Sequence, residues 1–154
     1  MTHWGMDFVT AIKAGRSPFP PPAWMTHLGL AGTDAYVIDT AAPGRVVSIW
    51  TPVAHFTVPD GFVLGGLITA VADGAHMLAL MTLSETPQNW VTTDFHTRFV
   101  RAVRAGETVR IDTEVVNRGR SSAIVEARFT LAGDKLAAIV TGAWRAVDME
   151  RRAL

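Results

Sequence analysis

The stretch GGLITAVADGAHMLALM, residues 65–81, decides the fold. It is longer than an ordinary strand and is built from Ala, Leu, Met and Val with few turn formers after the opening glycines, so it predicts a helix running from Gly65 or Gly66 to about Leu83. The helix is apolar nearly all round, which means that protein must cover it on almost every side. Asp73 stands at its centre. An ionised carboxylate in an apolar interior costs several kcal/mol unless it is paired, neutralised or retained for chemistry.

The flanking sequence supplies the cover. Upstream, DAYVIDTAAPGRVVSIWTPV (34–53) reads as two strands joined near Pro43-Gly44, because β-branched and aromatic residues dominate and the turn formers fall between them. VPDG at 58–61 breaks that pattern ahead of the helix. Downstream come four strand-like runs, WVTTDFHTRFVRAV, ETVRIDTEVVNRG, SSAIVEARFTLAG and KLAAIVTGAWRAV, separated by connections of hairpin length. Four strands without a crossover helix exclude a parallel α/β sheet. The expected class is α+β, a mostly antiparallel six-stranded sheet wrapped around one long helix. One such sheet leaves part of an all-round apolar helix uncovered, and a second copy of the chain is the natural lid.

Residues 1–30 read as an arm rather than a separate domain, with 31–154 as the single domain. Within the arm, Met6, Phe8, Val9 and Ile12 form a short helical stripe ended by Gly15, and SPFPPPAW then favours extended geometry with Trp4, Phe19 and Trp24 as apolar anchors. GLAG at 29–32 reads as a turn.

Composition narrows the function. The 154 residues are 49% hydrophobic, and 14 basic side chains balance 14 acidic ones, so no electrostatic case exists for nucleic acid or an anionic membrane. A small-molecule substrate is the default. Asp73 and His76 near the middle of the apolar stretch make a membrane span costly. Cysteine is absent, which removes disulfides and thiolate chemistry, and the N-terminal residues lack the pattern of a secretory leader; the expected location is the cytoplasm. The phosphate-loop, serine-elbow, zincin and dinucleotide motifs are also absent, and the five histidines show no metal-ligand spacing, so neither a metal nor a cofactor is expected.

Two features remain. Gly65 and Gly66 open the helix, where unpaired amides and the positive dipole end favour a developing negative charge. Asp73 lies about 10 Å further along, nearly two turns from Gly66 and on the same side. An acid or base beside an oxyanion hole is what acyl transfer needs. The same spacing also fits glycines used for close packing and a paired Asp. His76, three residues on, either tunes Asp73 or merely lines an interface.

These residues resemble a known family, the hotdog-fold acyl-CoA thioesterases of the phenylacetate-degradation (PaaI-like) type. GFVLGGLITAVAD is similar to the family motif G-x-V-H-G-G followed by six residues and a catalytic acid, TTDFHTRFVRAVRAG is similar to the strand motif that follows, and Gly119-Arg120 matches a later turn. The resemblance covers roughly residues 31–147 and implies an acyl-CoA thioesterase with CoA as part of its substrate. It implies Asp73 as base or nucleophile, Gly65 or Gly66 amides polarising the thioester carbonyl, and Thr92, with Thr93 beside it, as a hydroxyl reaching from the partner subunit. The site then lies between subunits of a homodimer or a dimer of dimers. Leu64 replaces the family histidine and Val58 an asparagine; with Phe62, Met77 and Leu80 they give an apolar substrate surface, and Arg101, Arg118 or Arg120 are placed to meet CoA phosphates. A non-catalytic acyl-CoA-binding oligomer is the alternative, and a hydratase is disfavoured because no Asp-x-x-x-x-His pair is present.

Overall fold

The computed structural model describes residues 3–17, 19–21, 23–28, 30 and 34–147. Helix α1 (Trp4–Lys13) and a short helix α2 (Ala23–His27) precede strands β1 (Tyr36–Ala42) and β2 (Arg45–Trp50). A 3-10 turn, Ala54–Phe56, leads into helix α3 (Gly65–Met81), and strands β3 (Asn89–Phe99), β4 (Val109–Arg118), β5 (Ser122–Leu131) and β6 (Lys135–Val147) follow. All pairs are antiparallel, in the order β1-β2-β4-β5-β6-β3. The expected sequence of two strands, a long helix and four strands is the observed one. Hairpin geometry explains part of it: Gly44 in the β1–β2 turn and Gly133 in the β5–β6 turn have positive φ.

The sheet wraps α3, and burial falls on one stripe of that helix. Leu67, Ile68, Val71, Ala72, Ala75, His76, Ala79 and Leu80 are buried. The first five pack with Trp50, Val109, Ile111, Ala127, Phe129 and Val140. Ala79 and Leu80 join a second cluster containing Val9 of α1, Trp90 and Trp144. The opposite stripe, Gly66, Ala70, Asp73, Gly74 and Met77, is exposed or only partly covered. Six strands therefore cover about half of α3, as the all-round apolar pattern anticipates. Among the described residues, no helix is long and apolar enough to cross a membrane.

Two elements escape the sequence pattern. Helix α2 lies where an extended arm is expected; five residues are too few for a helical period to show. The 3-10 turn at Ala54–Phe56 is equally short. The Trp24 side chain, most of the GLAG turn, and positions 18 and 22 of the proline run lie outside the described residues, whereas Trp4 stacks on Phe8 at 5.4 Å and Phe8 meets Phe19 at 6.1 Å.

Helix α1 crosses the end of α3 through Gly5, whose N–H donates to the Ser84 carbonyl at 2.9 Å. A Cβ at that position would stand 1.6 Å from the Met81 carbonyl oxygen, so only glycine permits the crossing. Substituting Gly5→Ala is expected to lower unfolding free energy by about 1–3 kcal/mol or more, the range for overpacking against backbone that cannot yield, measured by urea denaturation.

Candidate active site

Asp73 projects from the uncovered side of α3 and is partly buried. Its carboxylate oxygen Oδ1 accepts a hydrogen bond of 2.7 Å from the Thr92 hydroxyl. A bulge places that hydroxyl. The β3–β6 register pairs Thr92 with Trp144 and Asp94 with Ala143, leaving Thr93 as the extra residue. Side chains of a strand alternate between its faces, so one extra residue reverses the parity. Trp90 and Thr92 face the helix before the bulge, and Phe95 and Thr97 face it afterwards. Thr93 is exposed and bonds the Ala143 carbonyl at 3.0 Å, away from the acid. The bulge thus resolves which of two adjacent threonines serves Asp73. It also corrects the expectation that Thr92 reaches in from a partner subunit, because the bond forms within one chain.

One turn nearer the helix start, the Thr69 and Thr97 hydroxyls are 3.0 Å apart. Edge strand β3 is therefore pinned to α3 at two polar points, Thr92 to Asp73 and Thr97 to Thr69. Neither Thr69 nor Thr97 stands out in the sequence. The only signal is that the aromatics of β3, at 90, 95 and 99, do not share one parity.

The start of α3 is electrostatically open. Leu64 occupies the N-cap and gives no side-chain hydrogen bond; the Leu67 N–H folds back to the Leu64 carbonyl at 2.9 Å. Among the described residues, the N–H groups of Gly65 and Gly66 have no partner. An Asn, Asp, Ser or Thr cap would stabilise such a helix by about 0.5–2 kcal/mol over an apolar residue, so this terminus forgoes that gain and keeps two donors available. The two glycines differ in their surroundings. A Cβ on Gly65 would stand 3.0 Å from the Phe99 ring, whereas one on Gly66 would meet nothing within 4 Å.

Beside these amides lies an open cleft of about 280 Å³, lined by Val63, Gly65, Ile68, Phe99, Val100, Arg101, Ala102 and Val103. Neither Asp73 nor Thr92 borders it. The glycine amides and Asp73 of one chain therefore lie apart and do not border a common cleft. Two helical turns separate them, and the Thr69–Thr97 pair stands between.

The remaining candidates divide. Met77 lies one turn beyond Asp73 on the same stripe and is partly buried. Leu64 and Val58 are exposed beside the helix start, and Val58 sits in the turn closed by the Gly61 N–H to its carbonyl at 2.8 Å. Phe62 lies instead beneath the Arg104 guanidinium, 4.1 Å from the ring centre. Arg101 borders the cleft and bonds the Leu136 carbonyl at 3.1 Å. Arg118 is occupied elsewhere, tying the Leu83 carbonyl and the Gln88 side chain and lying 5.7 Å from the Trp90 ring centre. Arg120 is exposed at the β4–β5 turn, without a polar partner among the described residues. Leu80 is fully buried in the core rather than lining a substrate surface.

His76 is also a core residue, correcting its assignment to the substrate surface. It is 0% exposed, accepts a 3.3 Å hydrogen bond at Nδ1 from the Trp144 indole, and packs on Phe95 at 5.5 Å between ring centres. Gly142 makes room for it, since a Cβ there would stand 2.8 Å from Nδ1. Burial pushes the imidazole down to about 4, against a weaker upward pull from the Val140 backbone. Among the described residues, no cluster of three or more His, Asp or Glu side chains could hold a metal ion.

Comparison with known proteins agrees with this architecture. Residues 60–138, just over half of the chain, match the thioesterase superfamily. The phenylacetic acid degradation-related protein of Ralstonia eutropha JMP134 superposes with a TM-score of 0.75 at 24% identity, over 90% of this chain and 98% of that one. The Escherichia coli PaaI protein, from the phenylacetic acid degradation operon, gives 0.76 at 18% identity over 95% of each chain. A Streptococcus mutans UA159 protein solved bound to acetyl CoA gives 0.68 at 20% identity, over 73% of this chain and 88% of that one. No curated protein sequence matches. The chain belongs to the thioesterase superfamily, and it shares the hotdog fold of the PaaI proteins.

The buried imidazole gives a pH signature. Its folded-state pKa is depressed below the unfolded value of about 6.5, so its contribution is intact above that pH and is lost as protons bind the unfolded chain preferentially on acidification. Between about pH 6.5 and 4, denaturation should show a loss of about 3 kcal/mol that flattens in His76→Phe. Asp112, held low chiefly by its hydrogen bond from Arg45, adds its own loss only in a more acidic range. A wild-type slope equal to that of the variant would exclude the assignment.

Proposed function

We propose that the chain is an acyl-CoA thioesterase whose site is completed by a second copy. Asp73 and Thr92 come from one subunit, and the open amides of Gly65 and Gly66 come from the other. The observation that carries the reading is the separation of acid and donors along one helix. A base must lie within hydrogen-bond reach of the attacking water, and an oxyanion donor within about 3 Å of the carbonyl oxygen. Acid and amides about 10 Å apart on one rigid helix do not meet that requirement.

Two α3 helices packed antiparallel do meet it. A two-fold axis passing near Thr69 and Ala70 brings Asp73 of each helix toward the start of the other, forming two equivalent sites. The uncovered stripe suits such a crossing. Gly66, Ala70 and Gly74 recur every four residues about Ala70, and a Cβ added at Gly66 or Gly74 meets nothing in this chain. Gly74 lies in the middle of a helix, where glycine costs roughly 0.5–1 kcal/mol relative to alanine. Close approach of another backbone gives that cost a reason.

In this reading the thioester carbonyl oxygen accepts from the glycine amides of one subunit. The Asp73 carboxylate of the other takes a proton from water as the water oxygen bonds to the carbonyl carbon. Thr92 fixes the carboxylate rotamer through Oδ1, leaving Oδ2 for the water. The tetrahedral oxyanion collapses with cleavage of the C–S bond, and the thiolate leaves to be protonated as CoA. The acetyl CoA bound by the Streptococcus mutans relative supports CoA as the carrier.

Asp73→Asn should lower thioester hydrolysis by about 100-fold or more, with Thr92→Val losing about tenfold. Gly65→Pro removes a donor where the helix backbone tolerates proline, because position N1 needs no N–H and Leu64 already has ψ 127, and its Cβ asks the half-exposed Phe99 ring, 3.0 Å away, to shift by a few tenths of an ångström. Asp73→Asn and Gly65→Pro should each be nearly inactive alone. Unfolding and refolding the two together should restore about a quarter of the wild-type rate, because half of random dimers are mixed and each carries one intact site. A mixture no better than its parts would refute the shared site, and saturable acyl-CoA binding without turnover in the wild type would refute hydrolysis.

A further inference from the structure

We propose that Phe99 sets the acyl specificity of this site, admitting thioesters of wholly apolar acyl groups and limiting their size. The inference rests on the reading that the Gly65 amide holds the thioester carbonyl. Phe99 ends β3 with its ring against Gly65, 3.0 Å from where a Cβ would stand, so it flanks the open amide. Its placement is not explained by the core. Phe99 is 55% exposed, and two more exposed apolar side chains stand nearby, Leu64 at 55% on the N-cap and Val100 at 52%.

Three large apolar side chains left open around two unpartnered amides need an apolar occupant. Such an occupant removes water from the amides and strengthens their interaction with an oxyanion. The cleft behind Phe99 continues this surface through Val63, Ile68 and Val103. Its volume of about 280 Å³ suits an acyl group and not a whole CoA ester. Arg101 is the one charged side chain on its wall. Its guanidinium already bonds the Leu136 carbonyl, so it favours the cleft rim over recognition of an acidic acyl tail.

The test compares butanoyl-, octanoyl-, phenylacetyl- and succinyl-CoA by kcat/KM in wild type, Phe99→Leu and Phe99→Ala. Matching S-alkyl-CoA thioethers, which cannot be hydrolysed, are measured by calorimetry. Wild type is expected to prefer butanoyl- over succinyl-CoA by at least about tenfold, since a carboxylate in this cleft loses its hydration. Phe99→Ala is expected to raise the octanoyl-to-butanoyl ratio by about tenfold, with Phe99→Leu between, as buried methylenes are gained. The thioether affinities should shift in the same order.

Equal losses on every substrate with unchanged thioether preference would overturn the assignment, as would a wild-type preference for succinyl-CoA. Thioether affinities that shift as expected in a protein that hydrolyses no ester would uphold the Phe99 assignment while refuting hydrolysis.

Discussion

The burial of α3 on one side only is the constraint on which the rest of this molecule depends. Six antiparallel strands seat the stripe from Leu67 to Leu80 and leave the Asp73 stripe open. A carboxylate at the centre of a fully enclosed helix would need a buried partner for its charge. On the open stripe it needs only orientation, and Thr92 provides that through a single hydrogen bond. The buried core and the one oriented carboxylate thus lie on opposite faces of one helix. The core is filled by Val, Ala, Trp and Phe, while the other face keeps Gly66, Ala70, Gly74, Met77 and one acid.

Edge strand β3 connects the two. Its hydrogen bonding to β6 fixes it in the sheet, and the bulge at Thr93 turns both halves of the strand toward α3. Without the extra residue, Trp90 and Thr92 would share a face with Asp94 and His96, placing either the aromatics or the charged residues wrongly. The bulge therefore serves packing and site together. The Thr97–Thr69 contact five residues further on holds the strand at the correct height along the helix.

The fold was legible because its signals are long and periodic. A 17-residue apolar helix and four alternating runs leave few architectures, and a chain without crossover helices leaves fewer. The acid and the glycines were legible for the same reason, as breaks in an otherwise uniform segment. What depends on register was not. Nothing in the threonine pair at 92 and 93 says which one faces the helix until the bulge is located, and nothing in Thr69, Thr97 or Phe99 marks them as neighbours of the site. His76 illustrates the opposite error. Three residues from Asp73 suggests a shared side, yet that step is 60° short of a full turn, enough to carry the imidazole from the open stripe into the core beside Trp144.

Several local choices in this chain are poor for stability taken singly: a leucine N-cap, a glycine with open space in mid-helix, and an exposed phenylalanine at a strand end. Natural sequences break local rules mainly where something else is gained. Here the departures are not scattered. The leucine leaves two amides open, the phenylalanine covers one side of them, and the glycines clear the helix surface that must approach a second copy if acid and amides are to meet. A helix that carries its acid in the middle and its open amides at one end cannot bring the two together alone, because its own rigidity holds them apart. Under the proposed reading, symmetry resolves this, and one helix sequence supplies both halves of each site.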